Sequence, residues 1–203
     1  MDLLVYNGNR EGCPVEEIQQ PEESALQRQA KPPKSAVREI AEAVLVAVAL
    51  AFLIRFFLFQ PFYIPSGSME PTLMPLDRII VSKVNYWFSE PAHGNIIVFR
   101  FPEDPSRDFV KRVIAVGGQT VKIRNSQLFV DDRPIPEPYL PPALRMGDYG
   151  PFTVPEGKFF VMGDNRNHSD DSRRWGVVPR ENVIGQAVFL YWPFDRIRTL
   201  GGT

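Results

Sequence analysis

The hydrophobic pattern divides the chain into three parts. Residues 1–35 mix acidic and basic side chains with few apolar ones, so they hold little that a core can bury. Apolar residues dominate the next stretch, and Ala43–Ile54 carries no charge. After residue 60, short runs rich in Val, Ile and Phe alternate with Gly, Pro, Asn and Asp, which is typical of strands joined by turns. We predict a disordered tail over 1–35, a transmembrane anchor over 36–59 and a β-rich domain over 60–203.

The β-rich part is mostly short strands. Asn125 and Ser126 separate two apolar runs and have the length of a two-residue hairpin turn. Proline is frequent, with 20 in 203 residues, and the stretch from Pro134 to Pro155 is best interpreted as an extended loop. The predicted strands are Arg78–Val84, Asn95–Phe101, Phe109–Val116, Thr120–Arg124, Gln127–Val130, Lys158–Met162 and Val183–Tyr191.

The apolar segment is long enough to cross a membrane. From Ile40 to Phe59 it reaches the roughly 20 residues that spanning requires, with Glu42 and Arg55 near enough to the ends to snorkel. A cleaved signal peptide is the main alternative, because Ala49-Leu50-Ala51 resembles a small-x-small cleavage site, and a packed soluble helix is the second. Basic residues cluster before the segment, so the positive-inside bias places the tail in the cytoplasm and the β-rich domain on the other side of the bilayer.

Charge and composition exclude several classes of function. The net charge of −1 and the lack of a basic aromatic patch argue against a nucleic-acid partner. Cys13 is the single cysteine, so no intrachain disulfide can form. Cys13, His93 and His168 do not have the spacing of a zinc site, and we predict neither a metal nor a cofactor.

The stretch PSGSMEPTL, from Pro65 to Leu73, has the residues that acyl transfer needs. Ser66, Gly67 and Ser68 form a small-residue turn that places a hydroxyl, a backbone N–H and a candidate nucleophile together. An ordinary Ser/Pro turn after a membrane segment is an equally good interpretation of this stretch alone.

A lysine interrupts the apolar strand that contains Phe109 and Val113. Alternation puts Lys111 on the face of those two residues, and the opposite face is equally apolar. A lysine buried there would be desolvated, which lowers its pKa and lets it act as a general base. The local sequence by itself favours the alternative, an edge lysine whose amine reaches solvent.

The stretch GDNRNHSDDSR, from Gly163 to Arg173, is dense in polar side chains. An EF-hand loop is excluded, because Arg166 occupies the third position from Asp164 and the required glycine is absent. A rigid hub of Asp–Arg pairs is the better interpretation. His168 suggests a Ser-His-Asp triad with Ser68, but no nucleophile elbow surrounds that serine, and a loop histidine is more often solvated.

Taken together, these three stretches behind an apolar segment resemble the type I signal peptidases. PSGSMEPTL, the FVKR of Phe109–Arg112 and the GDNR-x-x-S-x-DSR of Gly163–Arg173 match that family's motifs, and the resemblance covers about Ala41 to Arg198. It implies a catalytic domain of curved antiparallel sheets behind one transmembrane helix. It also implies removal of N-terminal signal peptides from exported precursors at Ala-x-Ala-type sites.

The resemblance further implies a role for individual residues. The family uses a Ser/Lys dyad, which makes Ser68 the nucleophile and Lys111 the general base. Ser66 would lend its hydroxyl to the oxyanion hole, and Ser169 would orient the lysine amine. Four charged residues would pair to hold the third motif against the lysine strand: Arg112, Asp164, Asp171 and Arg173.

Small residues at the cut site and two positions before it require shallow apolar pockets. The precursor would add as a strand along Pro61–Pro65. Plain core packing is the alternative for the side chains that we expect to line the pockets: Phe62, Ile64, Pro65, Met69, Leu73, Phe109 and Val110.

The chain departs from the common motifs of the type I signal peptidases at two positions, and two alternative functions remain to be considered. Asn167 and His168 stand where the family commonly has Asp and Asn. A specialised processing or self-cleaving Ser/Lys protease, like the mitochondrial inner-membrane peptidases or SOS-repressor-type proteins, is one rival. An inactive, membrane-tethered β module that binds peptides is another, and the joint presence of Ser68, Lys111 and Ser169 argues against it. The motifs suit a plasma membrane and a thylakoid-like membrane equally, and none predicts an oligomeric state.

Overall fold

The computed structural model describes residues 36–54 and 58–201. The predicted tail, residues 1–35, and Arg55 of the predicted anchor lie outside the described residues. The chain divides into two units, residues 1–44 and 45–203, so that the boundary falls inside the predicted anchor.

Helix α1 covers Ala36–Leu53, the first part of the predicted anchor. Its large apolar side chains are exposed, including Val37 at 77 % and Phe52 at 66 %. Arg38 and Glu42, one turn apart, form an ion pair at 3.0 Å. Over residues 36–54 and 58–201, none of the helices combines the length and the apolar character needed to cross a membrane.

The residues after α1 form two antiparallel sheets, which confirms the prediction of a mostly β fold. The larger sheet has the strand order β1-β2-β11-β3-β4-β9-β10, with β12 paired to β11, and the smaller has the order β7-β6-β5-β8. The strands are β1 (Phe59–Tyr63), β2 (Arg78–Ser82), β3 (Ile96–Phe101), β4 (Asp104–Val116), β5 (Thr120–Arg124), β6 (Gln127–Val130), β7 (Arg133–Pro134), β8 (Tyr149–Thr153), β9 (Lys158–Met162), β10 (Val178–Pro179), β11 (Val183–Trp192) and β12 (Arg198–Thr199). Two short helices, α2 (Asn85–Phe88) and α3 (Ser172–Trp175), complete the described elements together with brief 3-10 turns.

The predicted hairpin between β5 and β6 is confirmed. Arg124 pairs with Gln127 across the turn. Asn125 and Ser126 both adopt positive φ, 50° and 66°, as the tight turn between twisted strands requires. The bounds of β5, β6 and β9 are those expected from the hydrophobic pattern.

Two predictions of local structure were wrong. The proline-rich stretch expected to be a loop contains β8, which lies at the edge of the smaller sheet. Gly150 and Pro151 are tolerated there because an edge strand has a hydrogen-bonding partner on one side only. Strand β4 begins at Asp104, not Phe109, because its polar first half forms a hairpin with β3 in which Asp104 pairs with Phe101.

The core surrounds the centre of the larger sheet. Strand β3 is buried on both faces, with Ile96 and Val98 in one apolar cluster and Ile97 and Phe99 in another. Strand β4 lies directly beside it, so the middle of β4 is also enclosed. A third cluster joins β4 and β9 to the smaller sheet. Any polar side chain in the middle of β4 is therefore held in a solvent-poor setting.

Candidate active site

Ser68 lies in a 3-10 turn, Gly67–Met69, a few residues after β1. Hydrogen bonds from Ile64 N to Asp77 O and from Leu76 N to Ile64 O, both 2.9 Å, fix the chain that leads into the turn. Met69 is 1 % exposed and anchors the turn in the core. The turn is thus fixed by its contacts with the core, while Ser68 remains partly accessible to solvent.

The structure brings Ser68 and Lys111 together from different parts of the chain. The Lys111 Nζ lies 2.7 Å from the Ser68 Oγ and donates to it. The same amine donates to the Val110 carbonyl oxygen at 3.1 Å and lies 5.3 Å from the centre of the Phe109 ring. Lys111 itself is 4 % exposed, so the amine meets the serine in a site with little solvent.

Burial sets the protonation of this lysine. Desolvation lowers the pKa of Lys111 from 10.5 to about 8, because a charged amine is poorly solvated there. Three carboxylates act in the opposite direction and favour the charged form, in decreasing order Asp171, Asp170 and Asp164. The amine can therefore be neutral at mildly alkaline pH, which is the form that accepts a proton.

The two supporting serines, Ser66 and Ser169, differ in their contacts with the dyad. The Ser66 Oγ lies 3.5 Å from the Ser68 Oγ, close to the nucleophile but at the outer limit of a hydrogen bond. The Ser169 Oγ is buried and has no hydrogen-bond partner among residues 36–54 and 58–201, so the bond expected from it to the lysine amine is not formed there. Its hydroxyl packs against Gly163, where an added Cβ would overlap both the Ser169 Oγ and the Ser68 carbonyl oxygen.

The charged residues of the third motif are paired. Arg112 Nε and Nη2 donate to the two carboxylate oxygens of Asp164 at 2.9 and 2.7 Å, with both side chains buried. Arg173 forms the same bidentate contact with Asp171, and each hydrogen bond is 2.8 Å long. Because Arg112 follows Lys111 in β4, its pair with Asp164 ties the third motif to the lysine strand.

A second buried pair was missed by the sequence analysis. The Arg166 side chain is fully buried, and its Nη1 donates to the Glu137 Oε2 at 2.8 Å. Tyr139, two residues further, places its ring 3.8 Å from the Arg112 guanidinium carbon. Glu137 and Tyr139 belong to the proline-rich stretch, so that stretch is docked on the third motif. Of the residues in this contact, only Arg166 could have been singled out from the sequence, because it lies inside the third motif.

A cleft of about 810 Å³ opens at Ser68. Apart from Leu73, the apolar residues expected to form the pockets all line it. The Leu73 side chain is instead fully buried and packs in one apolar cluster with Ile79 and Val81. Polar residues that also line the cleft are Glu70, Arg107, Asp108, Asn165, His168 and Asp170.

His168 is exposed at the cleft, and its Nδ1 lies 3.3 Å from the Asn165 Oδ1. The Lys111 amine is the candidate base that lies within hydrogen-bonding distance of the Ser68 hydroxyl. A two-sheet β protein with this serine and lysine in contact has the geometry of a Ser/Lys peptidase.

Comparison with known proteins identifies the family. The family model described as "Signal peptidase, peptidase S26" matches residues 37–192. The chain is 45 % identical over 174 residues to "Probable signal peptidase I-1" of Synechocystis sp., covering 81 % of this chain and 87 % of that protein. It is 42 % identical over 192 residues to "Signal peptidase I" of Leptolyngbya laminosa, covering 89 % and 93 % of the two chains. The chain therefore belongs to the signal peptidase family S26.

A solved relative aligns with part of the chain. The crystal structure of a signal peptidase I from Enterococcus faecalis V583 superposes with a TM-score of 0.44 at 31 % identity, covering 48 % of this chain and 97 % of that chain. Membership of the family rests on the family model and the sequence identities.

Proposed function

We propose that this chain is a membrane-tethered serine endopeptidase that removes N-terminal signal peptides from exported precursors at Ala-x-Ala-type sites. The observation that carries the proposal is the 2.7 Å contact between the Ser68 Oγ and the Lys111 Nζ, at the base of a cleft large enough for an extended peptide. Family membership and the names of the relatives support the substrate class.

In the first half of the reaction, Ser68 is acylated. The neutral Lys111 amine takes the hydroxyl proton while the Ser68 Oγ attacks the scissile carbonyl. The Ser68 backbone N–H and the Ser66 hydroxyl stabilise the negative oxygen of the tetrahedral intermediate. When the C–N bond breaks, Lys111 returns the proton to the leaving amine, and the signal peptide remains as an ester on Ser68.

In the second half, water releases the peptide. The again neutral Lys111 accepts a proton from a water molecule, and the resulting hydroxide attacks the ester carbonyl. The C–O bond to Ser68 breaks, the serine oxygen recovers the proton, and the signal peptide leaves with a free carboxylate. The base must be neutral at the start of each half, and a pKa of about 8 leaves roughly a tenth of Lys111 neutral at pH 7.

We assign the supporting residues in the same scheme. Ser169 would help to orient the lysine amine, and its buried hydroxyl, which has no partner in the described residues, supports this because such groups are rarely left unsatisfied. The pairs of Arg112 with Asp164 and of Arg173 with Asp171 would keep the third motif rigid beside the dyad.

The cleft suits a strand of precursor with small side chains. Strand β1 pairs with β2 alone among the described strands, so its other edge can receive the precursor along Pro61–Pro65. Alternate residues of an extended peptide point the same way. The residue at the cut and the residue two positions before it would therefore both face the apolar lining, to which Ile64, Met69 and Val110 contribute.

We further propose that residues 36–59 tether the enzyme to the bilayer, with residues 1–35 in the cytoplasm and 60–203 on the opposite side. The exposed apolar side chains of α1 support this. One end of the larger sheet also exposes aromatic side chains: Tyr63 (52 %) and Trp192 (42 %) both pair with Arg78, and Phe194 (72 %) packs on Trp192. Aromatic and basic side chains of this kind are favoured at the interface of a membrane.

A cleavage assay tests the proposal. The full chain in detergent would be incubated with a precursor bearing an Ala-x-Ala site, and Ser68→Ala and Lys111→Ala would be compared with the control Lys122→Ala in β5. We expect wild type and control to cut at the site and both dyad variants to be inactive.

Other outcomes overturn particular parts of the proposal. If wild type binds several precursors without cutting them, the inactive peptide-binding module is correct. If Lys111→Ala cuts normally, the base is misassigned, and His168 becomes the next candidate.

A further inference from the structure

Asn165 in the third motif contacts the turn that carries Ser68 through both its backbone and its side chain. Its backbone N–H donates to the Ser68 carbonyl oxygen at 3.1 Å. Its side-chain Nδ2 donates to the Gly67 carbonyl oxygen at 3.0 Å. One residue therefore holds the peptide group before Ser68 and the one after it.

The orientation of the Asn165 amide follows from its two neighbours. The Gly67 carbonyl can only accept a hydrogen bond, so the NH₂ group must face it. The Oδ1 is then left facing the His168 Nδ1 at 3.3 Å. Because Oδ1 can only accept, this contact is a hydrogen bond in the tautomer of His168 that carries its proton on Nδ1, and in that tautomer His168 holds the amide in place.

The contact with Gly67 bears on the oxyanion hole. The Gly67 C=O and the Ser68 N–H belong to one planar peptide group, so a donor that fixes the carbonyl also fixes the direction of the N–H. A hydrogen bond to the carbonyl also polarises the amide and makes its N–H a stronger donor. That N–H is the group proposed above to stabilise the oxyanion.

We propose that Asn165 is a positioning residue for the oxyanion hole, with His168 setting the orientation of its amide. This inference rests on the proposed function of Ser68. Residue 165 acts through the Gly67–Ser68 peptide group and not on the Lys111 amine, so its effect belongs to stabilisation of the tetrahedral intermediate.

The turn does not depend on the Asn165 side chain for its fold. The Glu70 N–H also donates to the Gly67 carbonyl, at 3.1 Å, and the Asn165 backbone N–H is kept in an alanine variant. Asn165→Ala therefore removes one of the two donors that align the Gly67–Ser68 peptide group while leaving two backbone hydrogen bonds to the turn.

The test uses an inhibitor that occupies the oxyanion hole. A peptide aldehyde ending in alanine adds to Ser68: the Oγ–C bond forms, the C=O π bond becomes an oxyanion, and the serine proton goes to Lys111. The matching peptide acid binds the same cleft without forming this bond. Asn182→Ala is the matched control, because its Nδ2 also donates to a backbone carbonyl, that of Arg100, at 3.0 Å.

Loss of a direct oxyanion-hole donor costs about 10²–10³ in kcat, and loss of a support for one should cost less, about tenfold. We expect Asn165→Ala, in the full chain, to lower kcat about tenfold with KM unchanged and to weaken the aldehyde by the same factor. Affinity for the peptide acid and the pH midpoint of kcat/KM should stay the same, and Asn182→Ala should change none of these quantities.

Unchanged aldehyde affinity, or an equal loss for aldehyde and acid, would overturn the inference. If Asn165→Ala does not fold, His168→Ala is the second variant; it should weaken the aldehyde by about threefold, and His168→Gln, which keeps an N–H donor, should restore it. No effect of His168→Ala would then overturn the inference. Ser68→Ala distinguishes failure of the proposed function from failure of the inference on Asn165. If Ser68→Ala still cuts the precursor, the proposed function is wrong. If Ser68→Ala is inactive but Asn165→Ala is fully active, only the inference on Asn165 is wrong.

Discussion

Replacing Lys111 by methionine removes the buried amine and keeps an unbranched side chain of similar length. In the folded chain burial lowers the pKa of Lys111 to about 8, against 10.5 for an ordinary lysine. Below pH 8 the folded protein must hold a charged amine in a solvent-poor site, whereas the unfolded chain hydrates it fully. We therefore expect Lys111→Met to be more stable than wild type at pH 6, and this advantage to shrink as the pH rises.

The magnitude follows from the two pKa values. At about 1.4 kcal/mol for each pH unit between about 8 and 10.5, the penalty carried by wild type is about 3 kcal/mol at pH 6 and about 1 kcal/mol at pH 10. The sign is set by proton binding, because the unfolded chain keeps the lysine proton up to pH 10.5 and the folded chain only to about 8. The free energy of unfolding of wild type relative to the variant should therefore rise by about 2 kcal/mol or more between pH 6 and pH 10.

Urea unfolding of the full chain in detergent, followed by tryptophan fluorescence, measures this quantity. Comparing wild type with Lys111→Met at each pH cancels the other groups that titrate in the same range. Ser68→Ala is the control: it removes the serine partner but keeps the buried amine, so its pH dependence should match that of wild type.

A difference in the free energy of unfolding between wild type and Lys111→Met that is the same at pH 6 and pH 10 would contradict this prediction. It would mean that the lysine has the same proton affinity in the folded and unfolded chains. The neutral amine required for general-base catalysis near pH 8 would then have no physical basis.

Further predictions concern the surroundings of the dyad. The Asp170 carboxylate favours the charged form of Lys111, so Asp170→Asn should lower the pKa of the lysine and move the rising limb of the kcat/KM profile slightly to lower pH. In Gly163→Ala the new Cβ would overlap the carbonyl oxygen of the nucleophile, which should remove most activity and cost about 1–3 kcal/mol in urea unfolding. Asp164→Asn should cost about 3–5 kcal/mol, because it leaves the Arg112 charge buried without its carboxylate; a thermal midpoint equal to that of wild type would contradict this.

Much of the sheet structure could be predicted from hydrophobic pattern. Strands β5, β6 and β9 are flanked by turn residues, and the two residues between β5 and β6, Asn125 and Ser126, have the length of a hairpin turn. Strand β8 could not be predicted, because Gly150 and Pro151 normally signal a loop and are acceptable only at an edge. Whether a strand lies at an edge is decided by the whole sheet, not by its own residues.

The site was predictable only in part, for a similar reason. The local sequence favoured an edge lysine at Lys111, and it is the burial of β3 and β4 that lowers its pKa. Leu73 was expected to line a pocket because it is the last residue of the serine motif, yet its side chain packs in the core. The contact of Asn165 with Gly67 joins residues 98 positions apart, so no spacing within one motif could reveal it.

The most direct test of the Ser68–Lys111 account is to trap the acyl-enzyme. Wild-type protein turning over an ester of a short peptide that ends in alanine would be quenched with acid, digested and analysed by mass spectrometry. We predict that the acyl group lies on the peptide that contains Ser68, and that Lys111→Ala forms this adduct far more slowly. An acyl group on another residue, or cleavage at the full rate by Lys111→Ala, would contradict it.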